Sequence, residues 1–303
     1  MADVLLTGAN GQLGREIVRR CEGGTPPLAA LTREALDITD RAAVFDAVAA
    51  ERPQVIINAA AYTAVDRAES EPDRAHAVNA EGPRHLAEAA ERHGAILVHI
   101  STDYVYDGTL EKPYDERHPT NPLGVYGASK LSGERAVQQV LERHVILRTA
   151  WVHGVHGQNF VKTMLRLAGE RDRLRVVDDQ RGSPTEAGGL ADACLTIAMT
   201  AMAGFQGWGV FHCAGEGETT WCGLARETIR LAAPHTGHRP EVEAITTADY
   251  PTPARRPANS VLDCAKLATV WNVRLAHWQP ALRGLVSELM GQGLADRIAA
   301  EHG

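Results

Sequence analysis

The sequence predicts an α/β fold: a doubly wound parallel sheet followed by a smaller C-terminal part. Three observations carry this. The chain opens on a short apolar run between Asp3 and Thr7 that meets glycines at 8, 11 and 14, the pattern of a strand and a tight turn. Further short apolar runs recur at 27–31, 55–59, 96–100 and 145–148. The intervals between the early runs hold helix-compatible segments such as RAAVFDAVAAERP and GPRHLAEAAERHG. Strands alternating with helices imply parallel pairing, because parallel neighbours need a long crossover.

In chain order, the first strand and turn lead into QLGREIVRRC, whose apolar residues recur at helical spacing, so the chain begins a βαβ unit. The next runs continue the sheet through residue 150. From Trp151 onward the pattern is less regular and richer in Gly, Trp and Pro. A helix is expected at Phe160–Glu170, among short strands and the proline-punctuated stretch DYPTPARRPANS. Residues 1–150 therefore read as the sheet domain, and 151–303 as mainly a smaller cap with late segments returning to the sheet. Neither an internal repeat nor a low-complexity tract is visible.

Composition narrows the function classes. A chain of 303 residues accommodates about two domains. With 31 basic and 38 acidic residues the formal charge is −7, which does not favour a polyanion, so nucleic acid is not expected as a partner. The five cysteines are scattered without a CxxC pair, the usage of reduced packing residues. No basic segment precedes the first apolar run and no apolar stretch approaches membrane-spanning length. A soluble, cytoplasmic protein without membrane contact is the expectation.

TGANGQLG spaces Gly8, Gly11 and Gly14 three apart. Such a turn lets the backbone approach a pyrophosphate, while the following helix offers unpaired N–H groups and its positive dipole end. Glycines also occur there for packing, but a turn after an N-terminal strand that opens a helix favours a dinucleotide. The cofactor's ribose is usually read at the end of the second strand. The stretch LAALTREALDI presents Thr32 and Arg33 there, with no carboxylate until Glu34. Arg33, together with Arg15, could neutralise a 2′-phosphate, which favours NADPH, with NADH as the alternative. The competing reading leaves both arginines simply solvated.

Tyr126 and Lys130 stand four apart in VYGASKLSGERAV, one helical turn, so both side chains leave one face. A phenol beside an ammonium is expected to be brought toward working range for proton transfer, and the lysine can also donate to a ribose diol. Four lysines and six tyrosines leave roughly 0.08 such pairs to chance across the chain. Upstream, the strand GAILVHIST delivers Ser101, Thr102 and Asp103 at its carboxyl end, where parallel sheets bind ligands. Thr102 could then donate to a substrate carbonyl as charge develops on it, or merely cap the next turn.

These residues together resemble the extended short-chain dehydrogenase/reductase superfamily, with its TGxxGxxG turn, Ser/Thr after the fourth strand and YxxxK pair. The strings INAAAYTAVDRAESEP, HISTDYVYDG, NPLGVYGASKLSGE, LRTAWVHG, QNFVKTMLRLA, DDQRGSPT and YPTPARRPANSVLD are similar to the dTDP-4-dehydrorhamnose reductase family and spread over most of the chain. The resemblance implies a Rossmann-type domain with a substrate-binding cap. It also implies NADPH-dependent reduction of the 4-keto group of a dTDP-4-keto-6-deoxysugar, dTDP-4-dehydro-6-deoxy-L-mannose, to dTDP-L-rhamnose. Tyr126 would be the proton donor, Lys130 its tuner and ribose anchor, and Thr102 the carbonyl hydrogen-bond donor. Gly11, Gln12 and Leu13 match the pyrophosphate turn, Asp37 and Ile38 the adenine contact, and Ala61, Tyr62 and Thr63 a loop that meets the cofactor. Asn79 resembles an asparagine that orders that region, and Asp103 and Trp151 match positions lining the sugar pocket.

Arg255 and Arg256 are candidates for the nucleotide diphosphate, since guanidinium binds phosphate oxygens through paired hydrogen bonds; the alternative is a solvated loop. Some members of the family bridge subunits with magnesium. Here Glu186 is followed by glycines at 188 and 189, which argues against that bridge. His153 and His156 have no supporting carboxylate pattern and read as surface residues. No catalytic metal is expected, and the chain is expected to be a monomer or homodimer. The alternatives are a sibling reductase acting on another dTDP-4-keto-6-deoxysugar, and a non-enzymatic dinucleotide-binding subunit similar to the regulatory partner of methionine adenosyltransferase.

Overall fold

A computed structural model of the chain describes residues 2–291. Five strands, β1 (Val4–Thr7), β2 (Leu28–Leu31), β3 (Val55–Asn58), β4 (Ile96–Thr102) and β5 (His144–Thr149), lie in the order β2-β1-β3-β4-β5. A sixth strand, Gly209–His212, pairs beyond β5, and every pairing is parallel. The sheet is therefore the doubly wound one that the alternating pattern predicts. The order reverses between β1 and β3, and ligands bind at the carboxyl ends of strands at such a switch point.

Strand side chains alternate between two cores, as a period of two requires. Val4, Leu6, Val55, Ile57, Val98, Val145 and Leu147 face helices α1 (Gln12–Arg20) and Ala187–Met202. Leu5, Ile56, Leu97 and Ile146 face the opposite layer. That layer is α2 (Arg41–Glu51), α3, which runs from Pro72 to His93, and α4 (Val125–Val140). α3 is interrupted at Ala77–Glu81 by one π-helical turn.

The later residues hold more helix than the sequence pattern shows. Phe160–Glu170 forms α5 as expected, and Ala187–Met202, Trp221–Thr236 and Trp278–Gly291 are helical too. Ala187–Met202 returns to the sheet and is buried on several sides, so it lacks the polar stripe that reveals a surface helix. Around α5 pack Trp221–Thr236, Trp278–Gly291 and a parallel pair of strands, Arg173–Val177 with Glu241–Ile245. Cys21, Cys194, Cys213 and Cys222 are buried as free thiols and Cys264 is partly exposed. Among the described residues no helix is long and apolar enough to cross a membrane.

Candidate active site

The glycine turn sits at the switch point. Gly8 has φ +72°, and a Cβ on it would stand 2.6 Å from the amide nitrogen of Ala60, so the loops after β1 and β3 touch backbone to backbone. A Cβ on Gly14 would stand 2.8 Å from the carbonyl carbon of Ala9, which only glycine allows at this depth. α1 starts at Gln12 behind an N-cap, Gly11, that has no side chain to satisfy the first-turn N–H groups. A narrow backbone cradle with N–H donors at a positive helix end fits a dinucleotide pyrophosphate.

The crevice beside this turn is lined by Gly8, Gly11, Arg33, Asp37, Ile38, Ala61 and Tyr62. Thr32 stands back from the lining, where Arg33 and Glu34 take the place expected of it. Arg33 is 64% exposed and its guanidinium lies 3.8 Å from the Asp37 carboxylate. The Thr39 backbone and hydroxyl donate to that carboxylate and hold it below the usual range. Arg15 donates to the Asn10 carbonyl at 3.2 Å.

Asn79 lies in the π turn of α3. Its Oδ1 accepts from the Tyr62 N–H at 2.8 Å, and its Nδ2 donates to the Tyr62 carbonyl and the Ser129 hydroxyl, both at 3.0 Å. One buried amide thus fixes the loop after β3 and ties it to α4. π turns gather at functional sites because the extra residue re-aims side chains.

β4 and α4 supply the reactive corner. Thr102, Asp103, Tyr126 and Lys130 line a cavity of about 560 Å³ together with Gln12, Leu13, Thr63 and Trp151. Gly11 and Ala61 line both this cavity and the crevice, so the two adjoin at the glycine turn. The Thr102 hydroxyl donates to Asp103 Oδ1 at 3.0 Å and accepts the Tyr104 N–H. Lys130 is buried and its Nζ donates to the Ile100 carbonyl at 2.6 Å. Burial lowers its ammonium to about 8, against the pull of the Glu134 carboxylate one turn on.

The phenol departs from expectation. Burial pushes Tyr126 up to about 12; a hydrogen bond with the Thr102 hydroxyl works against this and the Asp103 charge works with it. Desolvation, not the neighbouring ammonium, therefore dominates the tyrosine, which correspondingly holds its proton at neutral pH. Asp103 is also buried, and desolvation raises its carboxyl to about 6.

Behind the corner, Glu134 and Arg148 form a buried ion pair at 2.6 Å. Ser101 donates to Glu134 at 2.5 Å, and Arg148 donates to the Tyr106 hydroxyl at 2.7 Å. The pair joins α4 to the ends of β4 and β5, one residue from Thr102 and from Thr149.

Just after β5, Trp151 has φ +48° and stacks on Trp221 with ring centroids 3.6 Å apart and planes 8° apart. Held backbone strain of this kind gathers at ligand sites. Trp221 and Thr149 also line the cavity and were not singled out from the sequence. Thr149 was findable, because it ends β5 in register with Thr102; Trp221 had no local signal. Arg256 lines an adjoining cavity of about 470 Å³ with Phe160, Arg171, Tyr250 and Trp221, and it pairs with Asp66 at 2.8 Å. Arg255 is exposed and outside that lining, so the structure separates two arginines that the sequence treats alike.

The histidine reading needs a correction. His153 is buried, with Nδ1 on the Trp151 carbonyl at 2.9 Å, because the chain turns inward behind the strained tryptophan. His156 lies 3.6 Å from Glu16. Glu186 accepts the Gly188 and Gly189 N–H groups at 2.7 Å each and so caps its helix. Among the described residues no group of three or more His, Cys, Asp or Glu could hold a metal ion.

A parallel sheet with a glycine-cradled switch point, and a Tyr-x-x-x-Lys helix facing it, define a dinucleotide-dependent oxidoreductase of the extended short-chain dehydrogenase/reductase class. Residues 1–290 match the family described as the RmlD substrate binding domain. The chain belongs to the dTDP-4-dehydrorhamnose reductase family. It is 46% identical over 289 residues to a dTDP-4-dehydrorhamnose reductase of Streptomyces griseus, covering 95% of this chain and 94% of that one. A probable dTDP-4,6-dihydroxy-2-methyloxan-3-one 4-ketoreductase of Streptomyces antibioticus is 42% identical, with 98% and 96% covered. Among solved structures, the dTDP-4-dehydrorhamnose reductase of Bacillus anthracis in complex with NADP is 35% identical with a TM-score of 0.88, over 95% of this chain and 100% of that one.

Proposed function

We propose that the protein is an NADPH-dependent reductase of the 4-keto group of dTDP-4-dehydro-6-deoxy-L-mannose, yielding dTDP-L-rhamnose in the cytoplasm. The observation that carries this reading is the cavity that sets Thr102, Tyr126 and Lys130 opposite Gly11, Gln12 and Leu13 of the glycine turn. Gly8, Gly11, Gln12 and Leu13 hold the pyrophosphate, Asp37 and Ile38 the adenosine end, and Arg33 the 2′-phosphate. Ala61, Tyr62 and Thr63 form the wall that Asn79 orders. NADPH supplies the hydride when bound.

Each side chain has a task that its surroundings suit. Thr102 donates to the keto oxygen as negative charge grows on it. Tyr126, proton-loaded at neutral pH, gives its proton to the nascent 4-hydroxyl. Lys130 anchors the ribose and stabilises the phenolate that remains. Trp151 and Trp221 offer an aromatic wall to a sugar or thymine ring, Asp103 accepts from a sugar hydroxyl, and Arg256 faces the diphosphate.

The test is NADPH oxidation on adding enzymatically prepared keto-sugar nucleotide, followed by assignment of the product's C4 configuration. Turnover giving the L-rhamnose configuration is expected, with kcat in Tyr126→Phe lower by about 10²-fold or more and cofactor affinity nearly unchanged. Absence of turnover with bound NADPH would favour a dinucleotide-binding subunit, and the opposite C4 configuration a sibling reductase.

A further inference from the structure

The side chains of Gln12 and Asn159 are hydrogen-bonded at 3.0 Å, joining the start of α1 to the start of α5. Asn159 is fully engaged. Its Oδ1 caps α5 by accepting the Lys162 N–H at 3.0 Å, and its Nδ2 donates to the Gly154 carbonyl at 2.8 Å as well as to Gln12 Oε1. A backbone donor on one side and a backbone acceptor on the other dictate which way the Asn159 amide faces. That orientation commits the Gln12 oxygen to Asn159, so the NH2 is the group that this cavity-lining side chain has left to offer as a donor. A neutral donor at the positive end of α1 suits an anion.

The same segment is braced elsewhere. Gly157 has φ +61° and packs so closely that a Cβ there would stand 3.2 Å from Gln12 Cγ. The Lys162 ammonium donates to the Gly157 carbonyl at 2.8 Å. From its first turn to its last, α5 presents Phe160, Thr163, Met164 and Leu167 to the cavity that holds Arg256, and Phe160, next to Asn159, packs on Trp221 with centroids 4.7 Å apart. α5 thus meets the cofactor turn at its start and forms one wall of the nucleotide cavity along its length.

We propose that Asn159 is a positioning residue that couples the two ligands, so that each binds more tightly when the other is present. An anion at the start of α1 orders Gln12, and Asn159 passes that order to α5 and the cavity wall. The inference rests on the reading that these cavities take NADPH and a dTDP-sugar. Such coupling is reciprocal by linkage.

The experiment measures the Kd of NADPH by its fluorescence with and without saturating dTDP, and the Kd of dTDP with and without NADPH. In the wild type each ligand is expected to tighten the other about fivefold or more, by equal factors. Asn159→Ser keeps a good helix cap but is too short to reach Gln12, and its factor is expected to fall to within about twofold of unity. Should that variant fold poorly, Gln12→Met breaks the same bond from the other side and should lose the same coupling. A wild-type factor of one, or an undiminished factor in a folded variant, overturns the proposal. Failure of NADPH or dTDP to bind the wild type overturns the functional reading and the coupling with it.

Discussion

A methyl group at position 182 would stand 2.6 Å from Nε1 of Trp151, so Gly182 is the floor on which this indole lies. The tryptophan holds a left-handed backbone and a close stack with Trp221, and neither survives if the ring is pushed away. Gly182→Ala should therefore raise the KM for sugar nucleotide by about tenfold while the Kd for NADPH stays within about twofold. Steady-state kinetics beside a cofactor titration will show it; an unchanged KM would remove the indole from the substrate wall.

The two arginines of the ARRP loop should separate in kinetics as they do in space. Arg256→Ala should raise the KM for sugar nucleotide by about tenfold or more, and Arg255→Ala by less than about twofold. Equal effects would mean that the diphosphate lies elsewhere.

Asp103 should make its own mark on stability. Its carboxyl is raised from 3.8 to about 6, so between these values the folded protein keeps a proton that the unfolded chain has released. Stability then falls as pH rises through that window, and the penalty, on the order of 2–3 kcal/mol, is fully present above it. Asp103→Asn should gain by that amount relative to wild type between pH 4 and pH 7, measured by urea denaturation at both values. A difference that does not change with pH would contradict the upward shift of this buried carboxyl.

The Glu134–Arg148 pair predicts strong non-additivity. Glu134→Gln or Arg148→Met alone leaves a buried charge without its partner and should cost about 3–5 kcal/mol. The double variant should cost clearly less than the two singles together. Denaturation of all four proteins closes the cycle, and simple additivity would show that the pair is not coupled.

Much of this architecture is legible in the chain because its physics is local. The glycine spacing and the strand before it mark the cradle. Tyr126 and Lys130 are four apart, so a helix must present them together, and the structure brings both to the cavity with Thr102. What escaped depends on tertiary packing. Trp221 reaches the cavity only because its helix packs against Trp151, 70 positions earlier. The state of Tyr126 escaped for a related reason: spacing shows its neighbour at i+4 but not how far both are withdrawn from water. Asn159 looks like an ordinary helix cap in QNFVKTMLRLA, and nothing local says that its second hand reaches back to Gln12.

The π turn of α3 makes that helix intolerant of length changes in a way its exposed surface would not suggest. Its five residues complete a wider loop than an α-helix allows, and each residue added to or removed from a helix rotates everything beyond it by about 100°. Excising one position between Ala77 and Glu81 would restore regular winding and swing the Asn79 amide away from Tyr62 and Ser129. A deletion that leaves every named pocket residue in place would thereby unfasten the loop after β3, so the spacing of this segment matters as much as the identity of Asn79.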